Sequence, residues 1–258
     1  MLNTKEGVFL NSDVWKKFVK IRNHFRSTVE ELDRSLPDLK NIQQQFANSR
    51  AGKNQAYTVE TPVVYNSALD DVTIDDEIKL ILVADNPGRR EQAAENKRYL
   101  VGPSGKIAEK FFRDNPALGI DFRRNVIILN KTPIHSPRTT ELREICRLSA
   151  DGTVAAAIEK SQRTMAALLL EFHEALGAQV WITGYSEMKK TGIFEVYTEV
   201  LKKLYANKGS MCKQLFIFRH FSMNQFTIDL KKQALPGETA AKSLKRIGDA
   251  YRKRILGL

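Results

Sequence analysis

The spacing of hydrophobic residues along the chain predicts a mixture of helices and short buried strands. Apolar residues recur at three- and four-residue steps over residues 13–34, which predicts an amphipathic helix with Ser12 or Asp13 as its N-terminal cap. Polar residues from Asn48 to Asn54 then predict a loop. An extended segment is expected near Pro62–Tyr65.

Four short apolar runs, each bounded by polar or turn residues, indicate buried strands at Lys79–Ala84, Val126–Asn130, Val180–Thr183 and Leu215–Phe218. Helical periodicity occupies the stretches Ser104–Phe112, Thr153–Leu176 and Ile193–Tyr205. Strands that alternate with helices form parallel sheets covered on both faces. The pattern therefore predicts a three-layer α/β/α fold with a central four-stranded parallel sheet. We expect residues 61–258 to form this α/β domain and residues 1–60 to form an N-terminal helical extension packed on it.

A last amphipathic helix is predicted at the end of the chain. Its apolar stripe consists of Leu244, Ile247, Tyr251 and Ile255. Basic residues cover much of the remaining surface, namely Lys242, Lys245, Arg246, Arg252, Lys253 and Arg254. This arrangement is typical of a packed helix with solvated charges, and a DNA-contacting helix is the alternative.

The composition narrows the function classes. The 41 Lys and Arg residues exceed the 30 Asp and Glu residues, and the formal net charge of +11 favours a polyanionic partner over a neutral one. A basic but merely solvated surface is the alternative. No apolar stretch approaches the about 20 residues that cross a bilayer, and the first residues lack the pattern of a secretion signal. We therefore expect a cytoplasmic protein without membrane contact.

The ends of the predicted strands carry the candidate chemistry, because ligands of open parallel sheets bind beyond the carboxyl ends of the strands. The residues found there are Asp85, Asn86 and Gly88 after the first strand, Asn130 and Lys131 at the second, Gly184 after the third, and Arg219, His220 and Ser222 after the fourth. Each residue alone is typical of a turn, a cap or a partly buried side chain. Together they place an acid, two amides and an imidazole on one rim of the sheet.

Five segments in this order resemble the motifs of the uracil-DNA glycosylase superfamily. They are Val83–Gly88 with the turn Asp-Asn-Pro-Gly, Tyr99–Gly105, Ile127–Lys131, Ile182–Gly184 and His220–Ser222. The resemblance covers the chain from about Lys79 to about Gln225. The ordered set is much more specific than any single motif.

The chain also departs from the family's pattern. Ala84 stands where the family usually has glycine, and Leu100, beside Tyr99, stands where it has a base-stacking phenylalanine. Branches that share the second motif often carry four cysteines for an iron–sulfur cluster. This chain has two, Cys146 and Cys212, without a Cys-x-x-Cys spacing. We expect no iron–sulfur cluster, no metal and no other cofactor.

The resemblance implies a monofunctional DNA glycosylase that hydrolyses the N-glycosidic bond of uracil or another deaminated base and leaves an abasic site. The implied catalytic residues are Asp85 for the sugar cation or the attacking water, Asn86 for that water, and His220 for the base oxygen. The implied contacts to the extruded base come from Tyr99, Leu100, Asn130, Gly88 and Gly102. The expected DNA contacts come from Ser104, Lys131, Arg138, Gly184, Arg219 and Ser222.

Two of these roles have a chemical reason. The Asn130 carboxamide both donates and accepts hydrogen bonds, which matches the edge of uracil. Tyr99 would clash with the methyl group of thymine. Met223 and Phe226 follow His220 and are candidates for an apolar wedge in the DNA stack, with core packing as the alternative.

Two other functions remain open at this point. A catalytically inactive nucleic-acid-binding member of the same fold is suggested by Leu100 in the stacking position. A small-nucleotide enzyme is disfavoured, because the chain lacks a Gly-x-x-x-x-Gly-Lys or Gly-x-Gly-x-x-Gly run that would hold phosphates.

Overall fold

The computed structural model of the protein describes residues 7–49, 57–149 and 151–258. The helices are α1 (Ser12–Arg34), α2 (Leu39–Ser49), α3 (Pro103–Asp114), α4 (Leu142–Leu148), α5 (Thr153–Leu176), α6 (Glu195–Tyr205), α7 (Gly209–Cys212), α8 (Gln225–Gln233) and α9 (Ala240–Leu256). The strands are β1 (Val8–Phe9), β2 (Glu77–Ile78), β3 (Leu80–Ala84), β4 (Val126–Asn130), β5 (Gln179–Thr183) and β6 (Leu215–Phe218).

Four parallel strands form the central sheet in the order β4-β3-β5-β6. Every residue of β3 and β4 is buried, and successive side chains of a strand point to opposite faces, so both faces of the sheet are covered. The chain runs from β3 to β4 on one side and then crosses to β5 on the other. The direction of winding thus reverses between β3 and β5, and this is the position where such sheets bind ligands.

The predicted α/β architecture is confirmed at the level of a four-stranded parallel sheet flanked by helices. The bounds of β4, β6 and α5 agree with the prediction, because continuous runs of buried apolar residues mark the two strands and the helical period of buried residues marks α5. Four other elements differ from the prediction by one or two residues at an end: β3 begins at Leu80, β5 at Gln179 and α6 at Glu195, and α3 spans Pro103–Asp114.

The N-terminal cap of α1 is Asn11, not Ser12 or Asp13 as predicted. Its side-chain oxygen accepts hydrogen bonds from the backbone N–H groups of Asp13 and Val14, at 3.1 and 3.0 Å. Three neighbouring residues can each act as a cap, and only the backbone geometry selects one of them.

α2 was not predicted, because a glutamine lies in its buried face and weakens the apolar period. The Gln43 side chain is 1% exposed. Its amide nitrogen donates to the backbone carbonyls of Pro62 and His135, at 3.1 and 2.8 Å. Residues 48 and 49 of the predicted loop belong to α2, and residues 50–54 lie outside the described residues.

The N-terminal helices share one hydrophobic core with the α/β unit. Phe18 of α1 packs on Phe172 of α5 with ring centroids 5.8 Å apart, and β1 pairs with β2. The buried apolar cluster extends from Leu10 to Leu256. Within the described ranges, no helix is both long and apolar enough to cross a bilayer.

Aromatic side chains fill the core on one face of the sheet. Trp181 of β5 stacks on Phe112 of α3 and on Phe226 of α8, with centroid distances of 5.6 and 6.0 Å. Phe226 is 2% exposed, whereas Met223 is 82% exposed. Of the two predicted wedge residues, Phe226 is therefore a core residue and only Met223 lies on the surface.

α9 packs closely on the edge strand β6. Of its predicted stripe, Leu244, Ile247 and Tyr251 are buried, and Ile255 is half-buried against the same core. Arg252, expected on the solvated face, is buried instead, and its guanidinium donates to the Cys212 carbonyl at 2.7 Å. Gly248 permits the close approach of the helix to the strand.

We predict that Gly248→Ala destabilises the protein. The added Cβ would lie 2.7 Å from Phe216 Cβ and 2.8 Å from Phe218 Cζ. Overpacking costs about 1–3 kcal/mol, which exceeds the gain of about 1 kcal/mol from replacing glycine inside a helix. Urea denaturation measures the free energy of unfolding, and Ala250→Ser on the exposed face of α9 is the control. A variant as stable as the wild type would contradict this packing.

Candidate functional site

The four segments that follow the strands of the sheet meet at its carboxyl edge. Pairing between β3 and β4 continues past both strands, because the Lys131 backbone N–H donates to the carbonyls of Ala84 and Asp85, at 3.1 and 3.0 Å. On the other side of β3, the Gly184 N–H donates to the carbonyl of Phe218 at 3.0 Å. The rim predicted from the sequence is therefore a continuous structural feature.

A buried ion pair lies at this edge, at the point where the winding reverses. Lys131 Nζ contacts Asp85 Oδ1 at 2.5 Å, and the Lys131 side chain is 0% exposed. The same ammonium also faces the carbonyls of Thr183, at 2.5 Å, and Ala84, at 3.4 Å. Each of its three N–H groups thus has an acceptor. The ring of Phe194 covers it, 5.1 Å from the nitrogen.

This burial corrects the prediction that Lys131 contacts DNA phosphates. A side chain with no exposed surface cannot reach a phosphate in solvent. Burial lowers the pKa of the Lys131 ammonium, and the negative charge of Asp85 opposes that shift. The function of Lys131 in this structure is to compensate and fix the Asp85 carboxylate.

The second oxygen of Asp85 shares a hydroxyl with Asn86. Thr139 Oγ1 lies 3.1 Å from Asp85 Oδ2 and 3.0 Å from Asn86 Oδ1, and its single proton can go to either oxygen. The Asn86 amide nitrogen donates to Ser136 Oγ at 2.9 Å, which fixes the orientation of the carboxamide. A carboxylate oxygen and an amide oxygen therefore face one point, the position of the Thr139 hydroxyl.

Gly184 adjoins the same carboxylate and has no room for a side chain. A Cβ at this position would overlap Asp85 Oδ1, and the backbone φ is +84°. Both conditions require glycine. Gly184 is buried and its N–H is engaged with Phe218, so its predicted contact to DNA is corrected to a packing role beside Asp85.

His220 has a defined tautomer. The backbone N–H of Ser222 donates to His220 Nδ1 at 3.0 Å, so a neutral ring carries its proton on Nε2. Burial lowers the pKa of His220; the charge of Asp85 raises it and that of Lys131 lowers it again. The imidazole is therefore neutral at pH 7 and presents an N–H donor near the ion pair.

Asn130 has a buried donor without a partner. Its residue is 1% exposed and pairs in the sheet with Ala84, next to Asp85. Among the described residues, no atom forms a hydrogen bond with Asn130 Nδ2. Such a group costs about 1–3 kcal/mol. The described residues contain four other buried side-chain atoms of this kind, in Gln43, Glu141, Trp181 and Tyr197, and Asn130 Nδ2 is the one among them at a strand end of the central sheet.

Glu91 is a buried carboxylate that the sequence analysis missed. It is 7% exposed and accepts a hydrogen bond from the Gly88 N–H at 2.9 Å. It also accepts from the backbone N–H groups of Leu100 and Gly102. Burial raises the pKa of Glu91 to about 7, although these hydrogen bonds oppose the shift. Because Glu91 follows Arg89 and Arg90, the sequence pattern there is typical of an exposed charged segment.

His135 is a second missed residue and supports the same turn from another side. A carbonyl only accepts, so His135 Nδ1 donates to the Pro87 carbonyl at 2.8 Å, and Nε2 accepts from the Tyr57 hydroxyl at 2.9 Å. Burial lowers the pKa of His135 to about 4. Through the bond from Gln43 to the His135 carbonyl, α2 is connected to the turn after β3.

Tyr99 and Leu100 lie in the core. The Tyr99 hydroxyl donates to the Val64 carbonyl at 2.6 Å. Leu100 has a φ of +53° and is 3% exposed, and its carbonyl abuts Gly105 at the start of α3. These contacts do not support the predicted roles of Tyr99 and Leu100 at the base. The motif Tyr99–Gly105 instead forms the entry into α3.

Some of the other predicted residues remain available to a ligand. A Cβ at Gly88 would meet no atom within 4 Å, so the backbone is open to close approach. Gly102, the N-cap residue of α3, is buried and its N–H donates to Glu91, which does not support its predicted contact to the base. Ser104 is half-buried in the first turn of α3. Arg138 and Arg219 are exposed, and Arg219 lies 3.3 Å from Asp229.

Neither a metal centre nor a disulfide is found among the described residues. No group of three or more His, Cys, Asp or Glu side chains gathers there in a way that would hold a metal ion. Cys146 and Cys212 are free thiols.

No protein-family model matches the chain, and no curated protein gives a significant sequence match. The function is therefore inferred from the site itself.

We predict a pH dependence of stability that Glu91→Gln removes. Because the pKa is about 7 in the folded state against 4.5 ordinarily, Glu91 contributes stability that is complete below pH 4.5 and is lost as the pH rises to about 7. The difference in unfolding free energy between wild type and Glu91→Gln should fall by about 3 kcal/mol over that interval. Denaturation curves at each pH measure it. Glu31→Gln, on the exposed face of α1, is the control, and a difference that stays constant with pH would refute the assignment.

Proposed function

We propose that the protein is a DNA glycosylase that hydrolyses the N-glycosidic bond of uracil or another deaminated base in DNA, as in base excision repair. The observation that carries the proposal is the buried Asn130 amide nitrogen without a partner, one residue from the Asp85 and Lys131 ion pair. A pocket that reads a base edge needs such a donor. The five ordered segments that resemble motifs of the uracil-DNA glycosylase superfamily support the same function.

The reaction requires the target nucleotide to leave the base stack, because a duplex buries the glycosidic bond. Extrusion costs a few kcal/mol. The net charge of +11 and the exposed Arg138 and Arg219 favour binding of the phosphate backbone, which offsets part of this cost. Gly88 leaves its backbone open where the extruded nucleotide would approach.

Cleavage of the bond develops positive charge on the sugar and negative charge on the base. Asp85, held in place by its ion pair with Lys131, stabilises the sugar cation. Water then adds to the anomeric carbon, and its proton passes to Asp85 Oδ2. Asn86 Oδ1 faces the same point as Asp85 Oδ2 and positions that water. The bond to the base breaks, and its electron pair leaves with the base.

The departing base is stabilised by His220 and selected by Asn130. The neutral His220 ring donates from Nε2 to the base oxygen where the negative charge collects. Asn130 Nδ2, with which no protein atom among the described residues forms a hydrogen bond, donates to an acceptor on the base edge. A neutral donor at His220 suits this task, because it supplies a hydrogen bond without first losing a proton.

A specific observation favours a second candidate, a nucleic-acid-binding protein of the same fold without catalysis. Both oxygens of Asp85 already have partners, namely Lys131 and Thr139. Catalysis requires water to replace the Thr139 hydroxyl, whereas binding does not. Alkali treatment after incubation distinguishes the two, because an abasic product is cleaved and a merely bound oligonucleotide is not.

We predict that Asp85→Asn and His220→Phe each abolish most of the excision activity while DNA binding persists. Loss of one donor to a developing anion lowers turnover by about 10²- to 10³-fold. The assay uses oligonucleotides that carry uracil, hypoxanthine, xanthine or mispaired thymine, with alkaline cleavage as readout. Asp75→Asn, an exposed acid, is the control for Asp85→Asn. Undiminished excision in both site variants would exclude the proposed mechanism.

We also predict that Met223 acts on duplex DNA only. Met223 is 82% exposed, has a φ of +52° and lies three residues after His220. An apolar side chain there can fill the space left by the extruded base. Met223→Ala should slow excision from duplexes and leave single-stranded substrates unaffected. The control is Ile228→Ala, another exposed apolar residue. Equal slowing on both substrates would exclude a wedge.

A further inference from the structure

We infer that the phosphate backbone of DNA runs from the candidate site into a basic cleft between α6 and α9, where Lys189 and Arg254 bind it. The inference rests on the proposed function for its choice of DNA as the ligand. It assigns DNA binding to the C-terminal end of α9, whose basic residues the sequence pattern could not divide between solvated charges and DNA contacts. Two features carry it, the charges around Tyr185 and the lining of the cleft.

Tyr185 connects the candidate site to the cleft. It directly follows Gly184, which abuts the Asp85 carboxylate. Three cations surround its ring: the charged groups of Arg254, Lys189 and Arg219 lie 5.0, 5.6 and 5.7 Å from the centroid. Arg219 directly precedes His220. Cations thus lie between the proposed catalytic groups and the end of α9, and of the three only Arg219 is paired with a carboxylate, that of Asp229 at 3.3 Å, among the described residues.

The cleft lies beyond Tyr185 and has a volume of about 300 Å³. Its basic lining residues are Lys189, Lys190, Lys202 and Arg254, and its acidic ones are Glu195 and Glu199.

Both acids of the cleft are already engaged. Lys202 lies 2.9 Å from Glu199, and Glu195 accepts the Thr191 N–H at 2.8 Å.

The remaining cations of the cleft are free to bind an anion. Within the part of the chain that the structure describes, neither Lys189 nor Arg254 forms an ion pair with a carboxylate, and both are exposed. Arg254 also stacks on Tyr251 at 4.5 Å, which holds its guanidinium in place. A guanidinium and an ammonium side by side suit phosphate oxygens. Since Tyr185 connects the cations of the cleft to Gly184 beside Asp85, phosphates of the same DNA strand are the anions expected there.

The test compares the salt dependence of DNA binding between wild type and Lys189→Gln/Arg254→Gln. Fluorescence anisotropy follows binding of a labelled duplex with one uracil, and of the undamaged duplex, over a series of NaCl concentrations. Each lost phosphate contact reduces the slope of log affinity against log salt by about one. We expect the double variant to lose about two units of slope on both duplexes. The control is Lys17→Gln/Lys20→Gln, which removes the same charge from the exposed face of α1.

The outcomes separate this inference from the proposed function. A slope that is unchanged in Lys189→Gln/Arg254→Gln, or that falls equally in the α1 control, overturns the inference even if uracil is excised. If the wild-type protein binds DNA without excising any base, the glycosylase function is refuted. A salt-dependence slope that is lowered only in Lys189→Gln/Arg254→Gln would still support phosphate binding in the cleft. Both fail if the wild type does not bind DNA. Circular dichroism verifies that the variants are folded.

Discussion

The buried ion pair between Lys131 and Asp85 is the interaction on which the site depends. Lys131 extends from the end of β4, and its ammonium contacts the Asp85 carboxylate and backbone carbonyls at the ends of β3 and β5. One side chain thus joins three strands where the winding of the sheet reverses. Removing one partner of such a pair costs about 3–5 kcal/mol, because the other charge stays buried alone. The pair therefore holds the carboxylate in one place.

The turn that carries Asp85 is supported from two sides by side chains outside the strand ends. Glu91 binds three backbone N–H groups and connects this turn to the entry of α3. His135 donates to the Pro87 carbonyl and is itself held by Tyr57 and Gln43. The two respond to acid in opposite directions, since burial favours the protonated form of Glu91 and the deprotonated form of His135. The N-terminal helices thereby take part in positioning the site.

The sequence predicted the features that depend on local pattern. The continuous apolar runs of β4 and β6 identified strands, and the rule that ligands bind beyond strand ends located Asp85, Asn130 and His220. The sequence-based prediction was wrong where contacts between distant segments determine whether a side chain is buried. Lysine is usually exposed, and Lys131 is buried only because β3 and β5 supply acceptors. Leu100 matches a position of the family's motif, but its left-handed backbone places it in the core. The interruption of the apolar period by Gln43 concealed α2.

The contact between Asp85 and Gly184 limits which acids the site can hold. The carboxylate already fills the space in front of the Gly184 α carbon. Glutamate at position 85 would carry the same group one methylene further, into the main chain of β5 or away from the Lys131 ammonium. The length of the acid at position 85 and the glycine at position 184 therefore depend on each other sterically. Neither residue can change unless the backbone at the end of β5 moves.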